Sequence, residues 1–169
     1  MPLYNGSNIV HDAAQMKTST LSFLIKDAGV YLSEKKRGFG KGYLNGYGGK
    51  VGEGESIENA AIRELNEEAG LTVNLQKLQR VAIINFFEED RQIFECHVFF
   101  VSVWNGEIKE SEEMAQPVLY DLNNLPYERM WDGDRVWLPL VFSGKKIKAD
   151  VYYEKGMKKV MRFEHKDFV

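Results

Sequence analysis

The feature that most constrains this chain is a glycine-rich stretch at residues 38–55, which reads GFGKGYLNGYGGKVGEGE. Eight of the fifteen glycines in the chain lie within it. Because glycine adopts backbone conformations that other residues avoid, so dense a group indicates a backbone that turns sharply or passes close to a ligand. Any fold for this chain must accommodate an irregular segment of little side-chain bulk.

A helix is predicted directly after this stretch, over residues 56–69. Ser56 is a good N-cap, Glu58 favours the first turn, and Gly70 stands where helices commonly end. An apolar stripe at every fourth position marks the face that should pack on the core. It consists of Ile57, Ala61, Leu65 and Ala69.

Strand patterns precede and follow this helix. Residues 20–26 and 30–33 are rich in strand-forming residues and are joined by the turn Asp27-Ala28-Gly29, which predicts a hairpin. Residues 134–142 predict a second helix, in which Pro139 should strain the interior. Further strands are predicted at residues 81–87, 92–104, 118–122, 146–153 and 158–163. Strands on both sides of a helix indicate a mixed α/β or α+β domain.

The length of 169 residues is that of one domain, which we place at residues 16–169. Residues 1–15 are mixed and polar and have no signal-peptide pattern, so we interpret them as an N-terminal extension or a vector-derived lead. No apolar run approaches the roughly eighteen residues that a membrane-spanning helix needs. The single cysteine, Cys96, has no partner for an internal disulfide, which favours a reducing compartment and hence the cytoplasm.

The net charge of −3 is unevenly distributed along the chain. Residues 35–52 carry five basic side chains and no acidic one, whereas residues 53–68 carry six acidic side chains and one basic one. A mildly acidic chain is a poor candidate for wrapping duplex DNA, which requires a broad basic face. A basic loop next to an acidic helix instead favours a local site that holds phosphates on one side and cations on the other.

Three carboxylates, Glu64, Glu67 and Glu68, lie on the predicted helix at i, i+3 and i+4. They fall within an arc of about 100° beside the apolar stripe. One interpretation is a solvated acidic face. The other is a metal site, because charge at the border of a buried face is costly unless it is neutralised. Mg²⁺ and Mn²⁺ prefer such clusters of oxygen ligands, completed by water and phosphate.

Residues 49–71, GKVGEGESIENAAIRELNEEAGL, resemble the sequence signature of the Nudix family. That signature has a glycine, five residues, a glutamate, seven residues, and then Arg-Glu-aliphatic-x-Glu-Glu-x-Gly-aliphatic. All of its fixed positions are matched, by Gly49, Glu55, Arg63, Glu64, Leu65, Glu67, Glu68, Gly70 and Leu71. So many matches at fixed spacing are very improbable by chance.

The resemblance implies an α+β Nudix fold, in which a mixed β-sheet is sandwiched between helices (α/β/α) and the signature forms a loop–helix–loop. It also implies hydrolysis of a nucleoside diphosphate linked to another group, with Mg²⁺ or Mn²⁺ as cofactor. The implied metal ligands are Gly48, through its carbonyl, and the implied catalytic glutamates Glu64, Glu67 and Glu68. For Glu64 the resemblance implies either a role as a further ligand or a role in orienting water. Arg63 is expected to pair with Glu55 and to brace the helix.

The segments KKRGFGKGYLNGYGGKV and MWDGDRVWLPL extend the resemblance to one branch of the family, the oxidised purine nucleoside triphosphatases (8-oxo-dGTP hydrolases of the human type). This likeness covers about residues 18–165. It implies that Asn45 contacts the base, that Trp131 stacks on the base, and that Lys35 lies near the phosphates. The implied substrate-binding residues are Thr20, Lys35, Phe39, Asn45, Tyr47, Trp131 and Asp134, and Glu113 is a further implied metal ligand. Each has an alternative structural role, because aromatic residues also pack cores, Asn-Gly also forms turns, and surface charges are often only solvated.

The chain departs from that branch near the expected base site. Gly133 stands where the first of two adjacent aspartates is expected, Asp134 keeps the second, and Asp132 replaces a frequent proline. Ser19 stands where the first strand carries a pocket aromatic. The loss of one hydrogen-bonding partner at a buried base edge costs roughly 1–3 kcal/mol. These changes therefore affect which base is preferred and leave the diphosphate chemistry untouched.

The expected function is metal-dependent hydrolysis of oxidised purine nucleoside triphosphates, such as 8-oxo-dGTP or 2-hydroxy-dATP, to the monophosphate and pyrophosphate, which sanitises the nucleotide pool. One alternative is a Nudix hydrolase for another substrate, such as a dinucleoside polyphosphate, a nucleotide sugar or an ordinary nucleoside triphosphate. The other is a Nudix-like binding module without catalysis, against which the intact signature argues. We expect a small nucleotide as the partner, no nucleic acid polymer, no membrane, and a monomeric protein.

Overall fold

The computed structural model of the protein describes residues 16–168, so the extension predicted at residues 1–15 lies outside the described residues. The strands in this range are β1 (Lys17–Lys26), β2 (Gly29–Glu34), β3 (Leu44–Asn45), β4 (Tyr47–Lys50), β5 (Gln79–Glu88), β6 (Arg91–Val101), β7 (Val118–Asp121), β8 (Ile147–Tyr153) and β9 (Val160–Asp167). The helices are α1 (Ile57–Ala69) and α2 (Asp134–Phe142), and short 3₁₀ turns lie at Leu75–Lys77 and Tyr127–Arg129. Across residues 16–168, every helix is too short or too polar to cross a membrane.

The strands and helices that the sequence predicts are confirmed, although several ends differ. Strand β6 ends at Val101 rather than at residue 104, and β9 continues to Asp167. The sequence does not predict β3 and β4, because the glycine-rich stretch lacks the alternation of apolar and polar residues that marks a strand. Pro139 lies inside α2, and the helix nevertheless continues to Phe142.

The strands form one mixed sheet. Its order is β3-β2-β1-β6-β5-β8-β9, with β4 beside the first half of β1 and β7 beside β2. Strand β1 runs parallel to β6, and β5 runs parallel to β8, whereas the other pairs are antiparallel. Strand β1 is thus bonded on one side to β6 and on the other to both β2 and β4, which makes it the centre of the sheet near the glycine-rich stretch.

The two helices lie on opposite faces of this sheet. Phe23 and Leu24 are neighbours on β1, so their side chains point to opposite faces. Phe23 belongs to the hydrophobic cluster that contains Trp137 of α2, whereas Leu24 belongs to the cluster that contains Leu65 and Ala69 of α1. The mixed sheet sandwiched between helices, which the resemblance implies, is therefore confirmed.

Helix α1 begins and ends as its sequence predicts. The Ser56 hydroxyl accepts a hydrogen bond from the backbone N–H three residues later at 3.1 Å, and Gly70 ends the helix in a left-handed conformation with φ 72°. Leu65 is fully buried, which stabilises the packing of the helix by roughly 1.5–3 kcal/mol. Glu64 and Glu68 flank Leu65 on the helix, so this packing brings both carboxylates to the edge of the sheet.

Candidate active site

A cavity of about 660 Å³ opens where α1, the glycine-rich stretch, the first half of β1 and the start of α2 meet. Its size and its mixture of apolar walls with a few charged groups are typical of small-molecule sites. All but one of the predicted site residues line it, namely Thr20, Lys35, Phe39, Asn45, Gly48, Glu64, Glu67, Glu68, Glu113, Trp131 and Asp134. Charged groups gather at one end and aromatic groups at the other.

The acidic end of the cavity is centred on Glu68, which is only 4% exposed. Burial raises the pKa of the Glu68 carboxyl to about 8; the positive charge of Lys35 opposes this increase, and the carboxylates of Glu64 and Glu113 add to it. A buried carboxylate that faces other carboxylates needs a proton or a cation to offset their repulsion. The surroundings of Glu68 therefore favour a bound cation.

Arg63 organises the carboxylates on the open side of α1. Its guanidinium donates to Glu55 through Nε at 2.8 Å and through Nη2 at 2.9 Å. Nη1 donates to Glu64 Oε1 at 2.9 Å and to Glu67 Oε2 at 3.2 Å. The predicted pairing of Arg63 with Glu55 is confirmed. The hydrogen bonds from Arg63, followed by one from the Gly52 backbone N–H, lower the pKa of Glu55 to about 2.

A second group of charges joins the loop before β7 to the basic residues that precede the glycine-rich stretch. Lys35 Nζ lies 3.4 Å from Glu113 Oε2, and Arg37 Nε donates to Glu113 Oε1 at 2.6 Å. The hydrogen bond from Arg37 contributes most to a lowered pKa of Glu113. A backbone bridge between Lys35 and Met114 holds the two segments together. A phosphate that binds Lys35 therefore competes with Glu113 for the same positive charge.

The oxygen donors at this end fit a divalent cation in type, although their side chains do not converge on one point. Within residues 16–168, no three Asp, Glu, His or Cys side chains are close enough to form a ready metal site. The reason is that Arg63 holds Glu64 and Glu67, while other basic side chains hold Glu113. Carboxylate oxygen is the ligand type that Mg²⁺ and Mn²⁺ prefer, and Glu68 is the buried member of this set.

Two glycines before α1 allow the backbone to come close to these carboxylates. A side chain at Gly48 would collide with the backbone carbonyl of Thr20, and a Cβ atom on Gly49 would lie 2.5 Å from Glu64 Oε1. Both glycines belong to β4, which pairs with β1. Only a segment without side chains brings the Gly48 backbone and the Glu64 carboxylate into one site.

The other end of the cavity carries a group of aromatic rings around Trp131. Phe39 stacks on Trp131 with ring centroids 5.0 Å apart and planes at 24°, and Tyr43 contacts Trp131 at 4.6 Å. Phe39 also lies 5.4 Å from Phe94, yet it is 60% exposed. The Trp131 ring is thus placed to stack on a flat ligand, which would share or displace the contact with the exposed Phe39.

Asp134 contributes a buried acid to this aromatic end. It begins α2, and its backbone N–H donates to the Trp131 carbonyl at 2.9 Å. The residue is 4% exposed, and Oδ2 has no hydrogen-bond partner among the described residues. Burial raises the pKa of this carboxyl to about 7, and the neighbouring Trp137 indole opposes the increase. Because an unpartnered buried oxygen is costly, Asp134 is suited to binding a ligand group that completes its hydrogen bonds.

Thr20 and Asn45 place further polar groups in the cavity wall. Thr20 is 3% exposed, and its hydroxyl has no partner among the described residues. The Asn45 side-chain oxygen accepts a hydrogen bond from the Gly46 backbone N–H at 2.8 Å. Asn45 is therefore a turn residue, as the Asn-Gly pair allows, and its amide NH₂ is the group available to a ligand.

The departures at 132 and 133 have local explanations. The Gly133 backbone N–H donates to the Tyr153 hydroxyl at 2.8 Å, and a Cβ atom on Gly133 would lie 2.5 Å from that hydroxyl. Asp132 accepts a hydrogen bond from the Val160 backbone N–H at 2.9 Å and pairs with Arg135 at 3.2 Å. Asp132 therefore ties the start of α2 to β9, and Tyr153 occupies the space into which a side chain at 133 would project.

Tyr47 is the predicted substrate-binding residue that the structure corrects. It does not line the cavity, and it is fully buried in the cluster that contains Leu65 and Ala69 of α1. The chain turns at Gly46, between β3 and β4, so Tyr47 faces α1 while Asn45 faces the cavity. Burial raises the pKa of Tyr47 to about 12, as expected for a phenol inside the core.

The sequence analysis missed several cavity residues, among them Arg37, Tyr43, Phe94 and Tyr153. Tyr43 belongs to the glycine-rich stretch, and Arg37 belongs to the basic loop at residues 35–52 that favours phosphates, so both had an available signal in the sequence. Phe94 and Tyr153 lie on strands distant in sequence. Strand alternation assigns each to a face of the sheet but does not indicate which loop crosses that face.

Residues 16–141 match the sequence profile of the NUDIX domain. The chain is 42% identical over 132 residues to an oxidized purine nucleoside triphosphate hydrolase from Danio rerio, an alignment that covers 78% of this chain and 83% of that protein. It is also 42% identical over 129 residues to the protein of the same name from Mus musculus, which covers 76% of this chain and 81% of that protein. An ADP-ribose pyrophosphatase from Methanocaldococcus jannaschii is 33% identical over 101 residues, or 60% of this chain and 59% of that protein.

Solved structures share the fold. A mutator MutT protein from Bacillus halodurans superposes with a TM-score of 0.74 at 21% identity, covering 89% of this chain and 97% of that one. A MutT NUDIX hydrolase from Burkholderia pseudomallei superposes with a TM-score of 0.60 at 21% identity, covering 66% of this chain and 88% of that one. At this level of identity, the likeness shows the arrangement of the sheet and helices alone.

Proposed function

This chain belongs to the NUDIX family, and on that premise we propose that it hydrolyses oxidised purine nucleoside triphosphates, such as 8-oxo-dGTP and 2-hydroxy-dATP, to the nucleoside monophosphate and pyrophosphate. One observation carries the proposal. A single cavity holds buried carboxylates at one end and an aromatic ring with a buried acid at the other, in a chain 42% identical to two hydrolases of that name. The biological role is to remove oxidised purines from the nucleotide pool.

The charged end of the cavity is assigned to the triphosphate and to a divalent metal, which Nudix hydrolases generally use. Mg²⁺ or Mn²⁺, when bound, neutralises phosphate oxygens and polarises phosphorus. The residues assigned to hold it are the Gly48 carbonyl, Glu64, Glu67, Glu68 and Glu113. Their oxygen donors and the buried position of Glu68 support this assignment. Arg63 Nη1 donates to both Glu64 and Glu67 and so holds these two carboxylates beside each other at the mouth of the proposed metal site.

The basic residues of the loop are assigned to the phosphates. Lys35 lies in the cavity wall near Glu68, and Arg37 lines the cavity two residues further along the same loop. A triphosphate that binds the side chains of Lys35 and Arg37 replaces Glu113 as their ion-pair partner. Glu113 then becomes free to act as an additional ligand at the acidic end, which explains how one carboxylate can have two roles.

The aromatic end is assigned to the base. Trp131 supplies the stacking surface, with Phe39 at its exposed side, and Asp134 and Asn45 supply hydrogen bonds to the base edge. Thr20 presents its unpartnered hydroxyl from β1. Hydrogen bonds to a base give strong discrimination, because an analogue that lacks the matching group leaves a buried polar atom unpaired.

The proposal is tested by measuring pyrophosphate release from 8-oxo-dGTP and from dGTP with Mg²⁺, side by side at low substrate concentration. We expect a higher kcat/KM for the oxidised base and no release when the metal is chelated. A protein that releases no pyrophosphate from either substrate, with the metal present and the fold intact, would overturn the proposal. Equal rates on both substrates would show that the protein hydrolyses nucleoside triphosphates without a preference for the oxidised base.

A second candidate is hydrolysis of a nucleoside diphosphate derivative such as ADP-ribose. It is favoured by the 33% identity to an ADP-ribose pyrophosphatase, although this chain spans only 59% of that protein. The two candidates are distinguished by their products, because ADP-ribose yields AMP and ribose phosphate without pyrophosphate. Activity on ADP-ribose that exceeds activity on the oxidised triphosphates would favour this candidate.

We also infer the setting in which the protein works. The cavity of about 660 Å³ has the size of a small molecule, which supports a nucleotide as its ligand. The free thiol of Cys96 is buried, and its pKa is raised to about 12 by burial. A protein with one cysteine and no internal disulfide fits the reducing environment of the cytoplasm.

A further inference from the structure

Tyr153 lies in the wall of the cavity beside the groups assigned to the base. Tyr153 ends β8, is 1% exposed, and lines the cavity. Its ring meets Trp131 edge to face, with centroids 6.3 Å apart and planes at 76°. The Tyr153 ring is thus in contact with the ring on which the base is proposed to stack.

The position of the Tyr153 hydroxyl is set by a residue that has no side chain. Gly133 donates its backbone N–H to the Tyr153 oxygen at 2.8 Å. A Cβ atom on Gly133 would lie 2.5 Å from the oxygen and 3.1 Å from a methyl group of Val151. The space that a side chain at 133 would need is therefore filled by the end of the Tyr153 ring.

The hydrogen bond from Gly133 uses a lone pair of the Tyr153 oxygen and leaves its proton free. In the hydrogen bonds of residues 16–168, the hydroxyl accepts from Gly133 and donates to no protein group. Burial raises the pKa of Tyr153, so the phenol keeps its proton at neutral pH. A protonated hydroxyl with its acceptor side occupied is a directed hydrogen-bond donor.

We propose that the Tyr153 hydroxyl, positioned by Gly133, reads the edge of the purine base together with Asp134 and thereby determines which base this protein prefers. This inference rests on the proposed function, because it assigns the aromatic end of the cavity to a purine. The Tyr153 hydroxyl is a donor, and the unpartnered Oδ2 of Asp134 is an acceptor. A 6-oxopurine such as guanine presents the complementary pair, a carbonyl oxygen at C6 next to an N–H at N1.

The inference is tested by the affinity of nucleoside monophosphates, which are not hydrolysed. The probes are dGMP and 6-thio-dGMP, which differ only in the C6 oxygen, since sulfur is a weak acceptor. Binding is measured by calorimetry or by the change in intrinsic tryptophan fluorescence. We expect Tyr153→Phe to weaken dGMP binding about tenfold and 6-thio-dGMP binding less than about twofold, so that the preference for the oxygen compound is lost.

Two outcomes would overturn the inference. The first is unchanged affinity of Tyr153→Phe for both compounds. The second is an equal loss for both, which would show that the hydroxyl only supports the fold. The matched control is Tyr152→Phe, because Tyr152 stacks on Phe87 at 4.4 Å on the opposite face of the sheet and should change neither affinity.

A second variant covers the case in which Tyr153→Phe fails to fold, since it leaves the Gly133 N–H unpaired. Gly133→Ala keeps that N–H and places a methyl group against the hydroxyl, and it should show the same selective loss of dGMP binding. Equal losses of dGMP binding and of 6-thio-dGMP binding in this variant would likewise contradict the inference. Because monophosphate binding needs no turnover, failure of pyrophosphate release would remove the proposed hydrolase activity without deciding the role of Tyr153.

Discussion

Arg63 and Glu55 are joined by two parallel hydrogen bonds, from Nε to Oε2 at 2.8 Å and from Nη2 to Oε1 at 2.9 Å. Such a bidentate pair is stronger and more directional than a single ion pair. It connects the loop before α1 to the middle of the helix. Since the same guanidinium also holds Glu64 and Glu67, the pair positions the carboxylates that are proposed to bind metal.

The pair predicts a specific pH dependence of stability. The pKa of Glu55 is about 2 in the folded protein, below its ordinary value of 4.5, so its ionised form stabilises the fold above about pH 4.5. This contribution is lost as the pH falls towards 2. We expect Glu55→Gln to lower the melting temperature at pH 7 and the difference from the wild type to shrink below pH 4.5. Thermal unfolding monitored by circular dichroism measures this, and a difference that does not depend on pH would contradict the assignment.

Glu68→Gln is expected to abolish nearly all turnover while the fold persists. The substitution keeps the shape of the side chain. It removes a carboxyl whose pKa is raised to about 8 by burial and whose ionised form is therefore unfavourable, so stability should not fall. Turnover is measured by pyrophosphate release, and folding by the melting temperature. Glu58→Gln on the same helix is the matched control, because Glu58 pairs with Arg80 away from the cavity and its loss should leave turnover intact. Activity of Glu68→Gln close to that of the wild type would remove Glu68 from the metal site.

Trp131→Ala is expected to weaken nucleotide binding more than metal binding. The loss of a stacking surface costs about 1–3 kcal/mol per base, whereas the carboxylates lie at the other end of the cavity. Titrations of nucleotide and of Mn²⁺ measure the two affinities separately. Trp104→Phe is the control, because Trp104 packs on Tyr31 and does not line the cavity. Unchanged activity of Trp131→Ala on every triphosphate would place Trp131 outside the binding site.

Asp134→Asn is expected to make the protein more stable and less active. The pKa of Asp134 is raised from 3.8 to about 7, so the folded protein binds a proton that the unfolded chain has released. Stability of the wild type should therefore fall as the pH rises from about 4 to about 7, and the neutral variant should not share this loss. Activity should fall at least about tenfold, since the amide presents different hydrogen-bonding groups to the base.

Two measurements decide this last prediction. The free energy of unfolding is compared between the wild type and Asp134→Asn at pH 4 and at pH 7, and the gap should widen at the higher pH. The kcat/KM for 8-oxo-dGTP is compared at pH 7. A gap that narrows as the pH rises would show that the buried carboxyl does not titrate in this range. An activity equal to that of the wild type would show that it does not bind the base.

Most of the secondary structure and the acidic end of the site could be predicted from the sequence because their signals are local. The cap at Ser56, the end at Gly70 and the carboxylates at Glu64, Glu67 and Glu68 lie within one helix, whose period places them on adjoining faces. The pairing of Arg63 with Glu55 spans eight residues and belongs to the same motif. A helix carries these relationships wherever it packs.

The aromatic end could be predicted only in part. Asn45, Trp131 and Asp134 were found through resemblance, and Tyr47 was included with them although the turn at Gly46 sends it into the core. The role of Gly133 was read as the loss of a side chain. In the structure β8 brings Tyr153 beneath the start of α2, and this makes Gly133 a point of close approach.

The sequence by itself determined the family, the order of the helices and of every strand except β3 and β4, and the line of carboxylates on α1, because each depends on spacing along a short segment. Only the tertiary structure decided which residues from distant strands meet in the cavity. Lys35 meets Glu113, and Gly133 meets Tyr153, across separations that no local period encodes. The reason is physical: such pairs form when buried apolar side chains fix how the sheet and helices pack, and that packing is a property of the whole core.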